Sequence, residues 1–112
     1  MAEFIHKSLA GGRWQQLTFP EQMANIGSEV GRAIQWGKKN NPEFREQAIL
    51  RALELLYLTI EAQQKKRSVK ELTRLREVLL DYFYCDNIYK TTDTALDKYF
   101  LAFNILARKN KG

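Results

Sequence analysis

Apolar residues recur at helical spacing through most of the chain, and the clearest run lies between Phe44 and Ala62. At 100° per residue its large apolar side chains fall on one stripe, which is typical of a buried helix. The stripe consists of Ile49, Leu53, Leu56 and Ile60, with Leu50 and Tyr57 on one flank and Ala48, Ala52, Leu55 and Thr59 on the other. Only a narrow arc is polar, and Leu58 interrupts it. The pattern predicts a central helix that other helices cover on several sides.

Helix-start signals place this helix second in a series of four. In chain order the signals are Thr18 with Glu21, Asn41 followed by Pro42, Ser68 with Glu71, and the threonines at 91, 92 and 94. Serine, threonine and asparagine accept hydrogen bonds from the free N–H groups of a helix start, and a glutamate three residues later completes a capping box. The first helix should end near Lys39, the second near Lys66 and the third near Cys85.

The connections between these predicted helices are short, and helices joined by short loops pack as antiparallel neighbours. We therefore predict an all-α fold, an antiparallel up-down-up-down four-helix bundle over residues 18–112. Residues 1–17 show no sustained period. They are predicted to form a short N-terminal arm, with Trp14 and Leu17 docked on the bundle.

The other three helices also have apolar faces. These faces are Met23, Ile26, Val30, Ile34 and Gly37 in the first helix, Leu72, Leu75, Leu79 and Phe83 in the third, and Leu96, Tyr99, Phe100, Phe103 and Leu106 in the last. Gly27 and Gly31 lie beside the first of them. A glycine inside a helix costs up to about 1 kcal/mol relative to alanine. We therefore expect a neighbouring helix to approach closely at both glycines.

The composition suits one domain of 112 residues, 45% of them hydrophobic. No apolar run approaches the roughly 20 residues that span a bilayer. The single cysteine, Cys85, excludes an internal disulfide framework. We therefore expect a cytoplasmic protein without a membrane segment, in which Cys85 is a small core residue.

Residues typical of catalytic or metal centres are sparse. The single histidine, His6, lies in the arm, and no glycine-rich loop follows a predicted strand. The aspartates between 81 and 97 lack the spacing of a calcium-binding loop, and Asp93 and Asp97 suit a helix start. We therefore predict that the protein is not an enzyme and holds no cofactor or metal. An active site assembled between subunits is the least favoured alternative.

The predicted topology collects positive charge at one end of the bundle, and the chain has a formal net charge of +5. The candidate nucleic-acid-binding residues at this basic end are Arg13, Lys65, Lys66, Arg67, Lys70, Arg108 and Lys109, and Arg74 extends them along the third helix. Cations near helix C-termini also stabilise the helix dipole, which is the structural explanation of the same pattern. Because aromatic residues do not alternate with these cations, contacts to backbone phosphates are the expected binding mode.

Several apolar residues point away from the predicted core. Trp36 lies opposite the apolar face of the first helix, next to Arg32, and Leu101 and Ile105 lie outside that of the last helix. Such residues predict either a subunit interface or a docking surface for the arm, and we favour self-association. Arg76 is the converse case, since it falls within an apolar arc. If it is buried, it needs a carboxylate partner, and Glu46 and Glu54 on the central helix are the candidates.

The run Ala-Asn-Ile-Gly-Ser-Glu-Val-Gly-Arg from Ala24 to Arg32 is followed by Glu43-Phe44 and an alanine- and leucine-rich segment at 48–56. Together they resemble the four-helix-bundle proteins encoded in ribosomal-RNA intervening sequences. Relatives of that family include the accessory variability determinant proteins of diversity-generating retroelements. The resemblance implies a ring-forming oligomer, often a pentamer, with a basic surface that binds nucleic acid. In the retroelement branch it also implies a reverse transcriptase as partner.

The sequence thus favours a non-enzymatic, self-associating helical bundle that binds nucleic acid, either RNA or DNA, through its basic end. A nucleic-acid enzyme such as a reverse transcriptase is a possible protein partner. The alternative is a protein–protein adaptor whose basic residues serve only solubility and helix ends.

Overall fold

Four helices account for most of the molecule. The computed structural model describes residues 12–63 and 68–111, with side chains to residue 109. The helices are α1 (Phe19–Lys38), α2 (Pro42–Ala62), α3 (Ser68–Tyr84) and α4 (Asp93–Lys111), and one 3-10 turn, Trp14–Gln16, precedes α1. The described residues contain no strand, so the predicted antiparallel up-down-up-down four-helix bundle is confirmed. Among them, no helix is both long and apolar enough to cross a membrane.

The predicted starts of the first two helices are correct. Thr18 Oγ1 accepts a hydrogen bond from Glu21 N, and Glu21 Oε1 accepts one from Thr18 N, which completes the capping box. Asn41 Oδ1 accepts from Phe44 N at 3.1 Å, and the helix begins with proline. The third helix begins at Ser68 itself, whose hydroxyl donates to the side chain of Gln63. The residues just before Ser68 lie outside the described part of the chain.

The two central helices are α1 and α2. The most extensive packing joins α1 to α2, α4 packs on the other side of α1, and α3 packs on α2. The backbones of α3 and α4 approach one another less than those of these three pairs, so the bundle is closed less tightly along that seam.

The buried face of α2 is rotated from the predicted stripe. Ala48, Ala52, Leu55 and Thr59 are buried with Ile49 and Leu56, whereas Leu50 and Tyr57 on the opposite flank are about half exposed. Leu58 is buried rather than outward-facing, and Leu53 and Ile60 are only half-buried. The physical reason is that small side chains on the alanine flank let α1 approach α2 closely.

The last two turns of α4 extend beyond the start of α1. Phe103 packs edge-on against Phe19, the first residue of α1, with ring centroids 5.8 Å apart. Because α4 runs antiparallel to α1, residues after Phe103 pass the point where α1 begins. Leu106 is therefore 47% exposed, and its predicted burial is wrong. We call residues 104–111 the α4 overhang.

Two residues that the helical pattern placed on the apolar side of α3, Cys85 and Arg76, are exposed. Cys85 follows the last residue of α3 and is exposed rather than part of the core. Arg76 is exposed on α3, so it needs no buried carboxylate partner. The seam between α3 and α4 is loosely closed, and the outer part of the predicted apolar arc therefore faces solvent.

The end of the arm is packed into the bundle as predicted. Trp14 is only 1% exposed, and its Nε1 donates to Thr59 Oγ1 at 2.9 Å. Thr59 Oγ1 in turn donates to the carbonyl oxygen of Leu55. Gln22 Nε2 donates to the carbonyl oxygen of Trp14, and Leu17 packs against the core. The arm residues at 1–11, including His6, lie outside the described residues.

Candidate functional site

The basic end of the bundle is the first candidate surface. Arg13, Lys70, Arg108 and Lys109 are all exposed, and the topology brings them to the end where α1 and α3 begin and α2 and α4 end. The last two lie on the α4 overhang. None of the four forms an ion pair with another residue in the described ranges. Among the described residues, no carboxylate lies within ion-pair distance of these four charges.

Three other predicted members of this surface, Lys65, Lys66 and Arg67, lie outside the described residues. Arg74 is exposed further along α3, and its guanidinium lies 5.6 Å from the ring centroid of Tyr89. Tyr89 belongs to the loop between α3 and α4, at the opposite end of the bundle from Arg108. Arg74 thus contacts that loop and lies one helical turn after Lys70 on α3.

This loop has a defined conformation that sequence reasoning missed. Asp81 is buried, and its two carboxylate oxygens accept hydrogen bonds from the backbone N–H groups of Ile88 and Tyr89 at 2.9 and 3.1 Å. Asn87 and Lys90 adopt left-handed backbone conformations with φ of 53° and 54°. The carboxylate of Asp81 therefore organises the loop. Its position just before the end of α3 was the available signal.

A second candidate surface crosses α1 and α4. Two shallow hollows of about 540 and 290 Å³ adjoin there, and both are lined by Ser28 and Asp97. Arg32 and Trp36 line the first hollow, and Leu101 lines the second. The structure thus brings onto one face residues that the sequence had identified separately. We call this the α1–α4 face.

Ile105, the fourth predicted interface residue, lies one turn beyond Leu101 on the α4 overhang, and both are about half exposed. Trp36 is only partly exposed, because its ring packs edge-on against Phe44 at 4.9 Å and the ammonium of Lys39 lies 5.2 Å from its centroid. Leu101 and Ile105 therefore present the most accessible apolar area of this side.

The buried carboxylate of Glu29 holds Arg32, which lines the first hollow of the α1–α4 face. Glu29 is buried and accepts hydrogen bonds from Arg32 Nη1 at 2.6 Å and from Arg51 Nε at 2.5 Å. The first contact lies within α1 and the second joins α1 to α2. Two charge-assisted hydrogen bonds offset the desolvation of the carboxylate. The three-residue spacing to Arg32 was visible in the sequence, but the partner on α2 was not.

The α3–α4 seam contains a hollow of about 250 Å³ lined mainly by apolar side chains, including Leu75, Val78 and Leu96. At its edge the hydroxyl of Tyr99 donates to Glu71 Oε1 at 2.8 Å. Burial and this glutamate raise the pKa of Tyr99 above its ordinary value. The tyrosine is thus a neutral hydrogen-bond donor at neutral pH, which favours a structural role across the seam.

Comparison of the chain with models of known protein families, with curated proteins and with solved structures finds no match. The relation to intervening-sequence proteins therefore stays an expectation from the resemblance at 24–32 and 43–56. The basic end and the α1–α4 face are the two candidate surfaces for a function.

Proposed function

We propose that this protein is a non-enzymatic, self-associating bundle that binds nucleic acid, or a nucleic-acid enzyme, through its basic end. The observation that carries the proposal is a cluster of exposed cations that have no ion-pair partner among the described residues: Arg13, Lys70, Arg108 and Lys109. Two of them, Arg108 and Lys109, lie on the α4 overhang, beyond the point where α1 begins. We expect the protein to act in the cytoplasm.

Contacts to backbone phosphates are the proposed binding mode. Tyr84 and Tyr89 lie at the opposite end of the bundle, and Tyr57 is the one exposed tyrosine of the described residues in the half of α2 nearer the basic end. A single ring does not form the row of aromatic side chains on which successive bases stack. Lysine and arginine side chains release counterions when they neutralise phosphates, and this release drives association without reading sequence. Binding should therefore tolerate changes of sequence and weaken steeply with salt.

Charge reversal at the basic end tests this proposal. The double variant Lys70→Glu/Lys109→Glu should lower the affinity for a labelled DNA or RNA duplex by at least about tenfold at low salt, because lost phosphate contacts no longer release counterions. The slope of log affinity against log salt should fall by about 0.9 per lost contact on DNA. Fluorescence anisotropy measures both quantities.

The control for this experiment is the double variant Lys39→Glu/Lys90→Glu at the opposite end. It produces the same change in net charge, and both lysines are exposed. Circular dichroism should report unchanged helicity for both variants. Equal losses of affinity in the two variants would mean that only diffuse charge matters. A wild-type protein that binds neither duplex at low salt would contradict the proposal.

A protein–protein adaptor is the second candidate function, and the α1–α4 face favours it. Leu101 and Ile105 are 54% and 48% exposed on one side of α4, beside the hollows that contain Arg32 and Trp36. Exposed apolar groups with a polar rim are typical of interaction sites. The same face is our proposed subunit interface, and the family resemblance implies a ring, often of five subunits.

Light scattering tests the interface. The wild type should have a mass well above that of the 13.1 kDa chain, and Leu101→Glu should shift the mass towards one chain because a charge would be buried in the interface. Leu50→Glu is a matched control, since Leu50 on α2 is 45% exposed and lies away from this face. A wild type that remains monomeric at all concentrations would remove the need for a subunit interface.

A further inference from the structure

A polar cavity opens at the end of the bundle opposite the basic end. Its volume is about 370 Å³, and each helix contributes one polar side chain to its lining: Lys38 from α1, Arg45 from α2, Tyr82 from α3 and Asp93 from α4. Neither proposed surface uses these residues. No pattern within one helix relates these four residues, because their convergence depends on all four helices.

Arg45 is held in the wall of this cavity. Its Nη2 donates to the carbonyl oxygen of Phe83 at 3.1 Å, and its guanidinium carbon lies 5.3 Å from the centroid of the Phe83 ring. On the other side, a Cβ atom at Gly37 would lie only 3.3 Å from Arg45 Cδ. The half-buried side chain is therefore fixed between α1 and α3. A guanidinium has more N–H donors than this one backbone contact uses.

Lys38 and Asp93 face each other across the cavity. The ammonium of Lys38 lies 3.5 Å from Asp93 Oδ2, and the hydroxyl of Tyr82 donates to Asp93 Oδ1. The carboxylate of Asp93 thus contacts both Lys38 and Tyr82, and its negative charge balances one of the two positive charges, those of Lys38 and Arg45. Lys38, Arg45 and Asp93 together leave an excess of one positive charge around the cavity, which attracts an anion.

We propose that this cavity binds a phosphate monoester, with Arg45 as a paired donor and Lys38 as the second cation. A guanidinium matches two oxygens of one phosphate group, and an ammonium acts as a point charge beside it. The recess between four helices admits a phosphate at the end of a small molecule. The lining of this recess includes none of the basic-end cations Arg13, Lys70, Arg108 and Lys109. The site is therefore independent of the basic end.

Isothermal titration with adenosine monophosphate, inorganic phosphate and adenosine tests the site at constant ionic strength. The wild type should bind the two phosphates and not adenosine. Arg45→Met keeps an apolar stem but removes the donors, and its affinity for the phosphates should fall by about tenfold to a hundredfold, as expected for a charge-assisted hydrogen bond. Binding of adenosine equal to that of its monophosphate would overturn the proposal.

Two further variants keep the test decisive if Arg45→Met does not fold. Lys38→Met should lose affinity by at least about tenfold, whereas Lys39→Met, with the same change in charge, should not, because the Lys39 ammonium lies over Trp36 outside the cavity. Asp93→Asn removes the competing carboxylate and should strengthen phosphate binding. Equal losses in the two lysine variants, or weaker binding by Asp93→Asn, would count against the site.

The two proposals can fail separately. The basic-end variant Lys70→Glu/Lys109→Glu should bind adenosine monophosphate as the wild type does. If it lost this binding while Lys38→Met retained it, the phosphate would be bound at the basic end and the cavity would not be the site.

Discussion

Replacing Trp14 with alanine should lower the free energy of unfolding by about 3–5 kcal/mol, the range for a large aromatic side chain removed from a core. The indole is 1% exposed and belongs to the same core cluster as Met23 and Leu56. Its loss would leave a cavity between the arm and the helices and would remove the hydrogen bond to Thr59. Urea denaturation followed by circular dichroism measures the change.

Trp14→Phe separates packing from hydrogen bonding. The smaller ring keeps most of the apolar contact but cannot donate to Thr59 Oγ1, so a loss of about 1–2 kcal/mol is expected. Trp36→Phe is the comparison, because Trp36 is only half-buried and has no hydrogen bond of this kind among the described residues. It should cost less than Trp14→Phe. If Trp14→Ala cost less than about 1 kcal/mol, the arm would not be an integral part of the folded bundle.

The second large effect is that alanine should have opposite effects on the free energy of unfolding at two glycines one turn apart in α1. Gly27→Ala should destabilise the protein by about 1–3 kcal/mol, the usual cost of forcing extra volume into a packed interior. A Cβ atom there would lie 2.6 Å from the Cβ and 2.7 Å from the Cγ of Phe100, atoms close to the α4 backbone that cannot move freely. The two helices would have to separate.

Gly31→Ala should instead stabilise the protein by about 0.5–1 kcal/mol. Apart from its chain neighbours and the backbone of its own helix, no heavy atom of the described residues lies within 4 Å of the position of its Cβ. Alanine also loses less conformational entropy than glycine in a helix. Thermal denaturation of both variants gives the comparison in one experiment. If both variants were destabilised, or both stabilised, the described packing of α1 against α4 would be contradicted. A second subunit on the α1–α4 face close to Gly31 would reverse the sign at that position alone, and dilution to the monomer would restore it.

The close approach of two helices was predicted from both glycines, but the structure bears it out only at Gly27. Composition and periodicity place the two glycines equivalently on α1. Which of them meets α4 depends on the crossing of two helices, and that crossing involves Phe100, which lies more than seventy residues away in the chain.

Much of the candidate basic end could be predicted from the sequence, because charge and chain order together decide which cations reach one end of an antiparallel bundle. The contacts of Arg74 could not be predicted, since they depend on a loop that folds back along α3. The cavity of Lys38 and Arg45 was not predictable either. Its four polar residues are separated by up to 55 positions, and no local pattern relates them.

By itself, the sequence determined the helical class, the number of helices and the starts of α1 and α2. These features follow from local rules: caps satisfy free N–H groups within a few residues, and apolar spacing marks a stripe along a single helix. The exposure of Leu101 and Ile105 also followed from the pattern. Each of these conclusions requires knowledge of only one helix.

Only the tertiary structure decided which side of α2 is buried and at which residue of α4 the packing against α1 ends. It also decided that Glu29 pairs with Arg51 of α2. Leu106 and Leu96 are the same residue type on the same helix, yet only Leu96 is buried. The difference arises because α1 begins at Phe19 and leaves the last turns of α4 uncovered. Burial and ion pairing depend on the length and position of neighbouring helices, and periodicity within one helix contains no information about either.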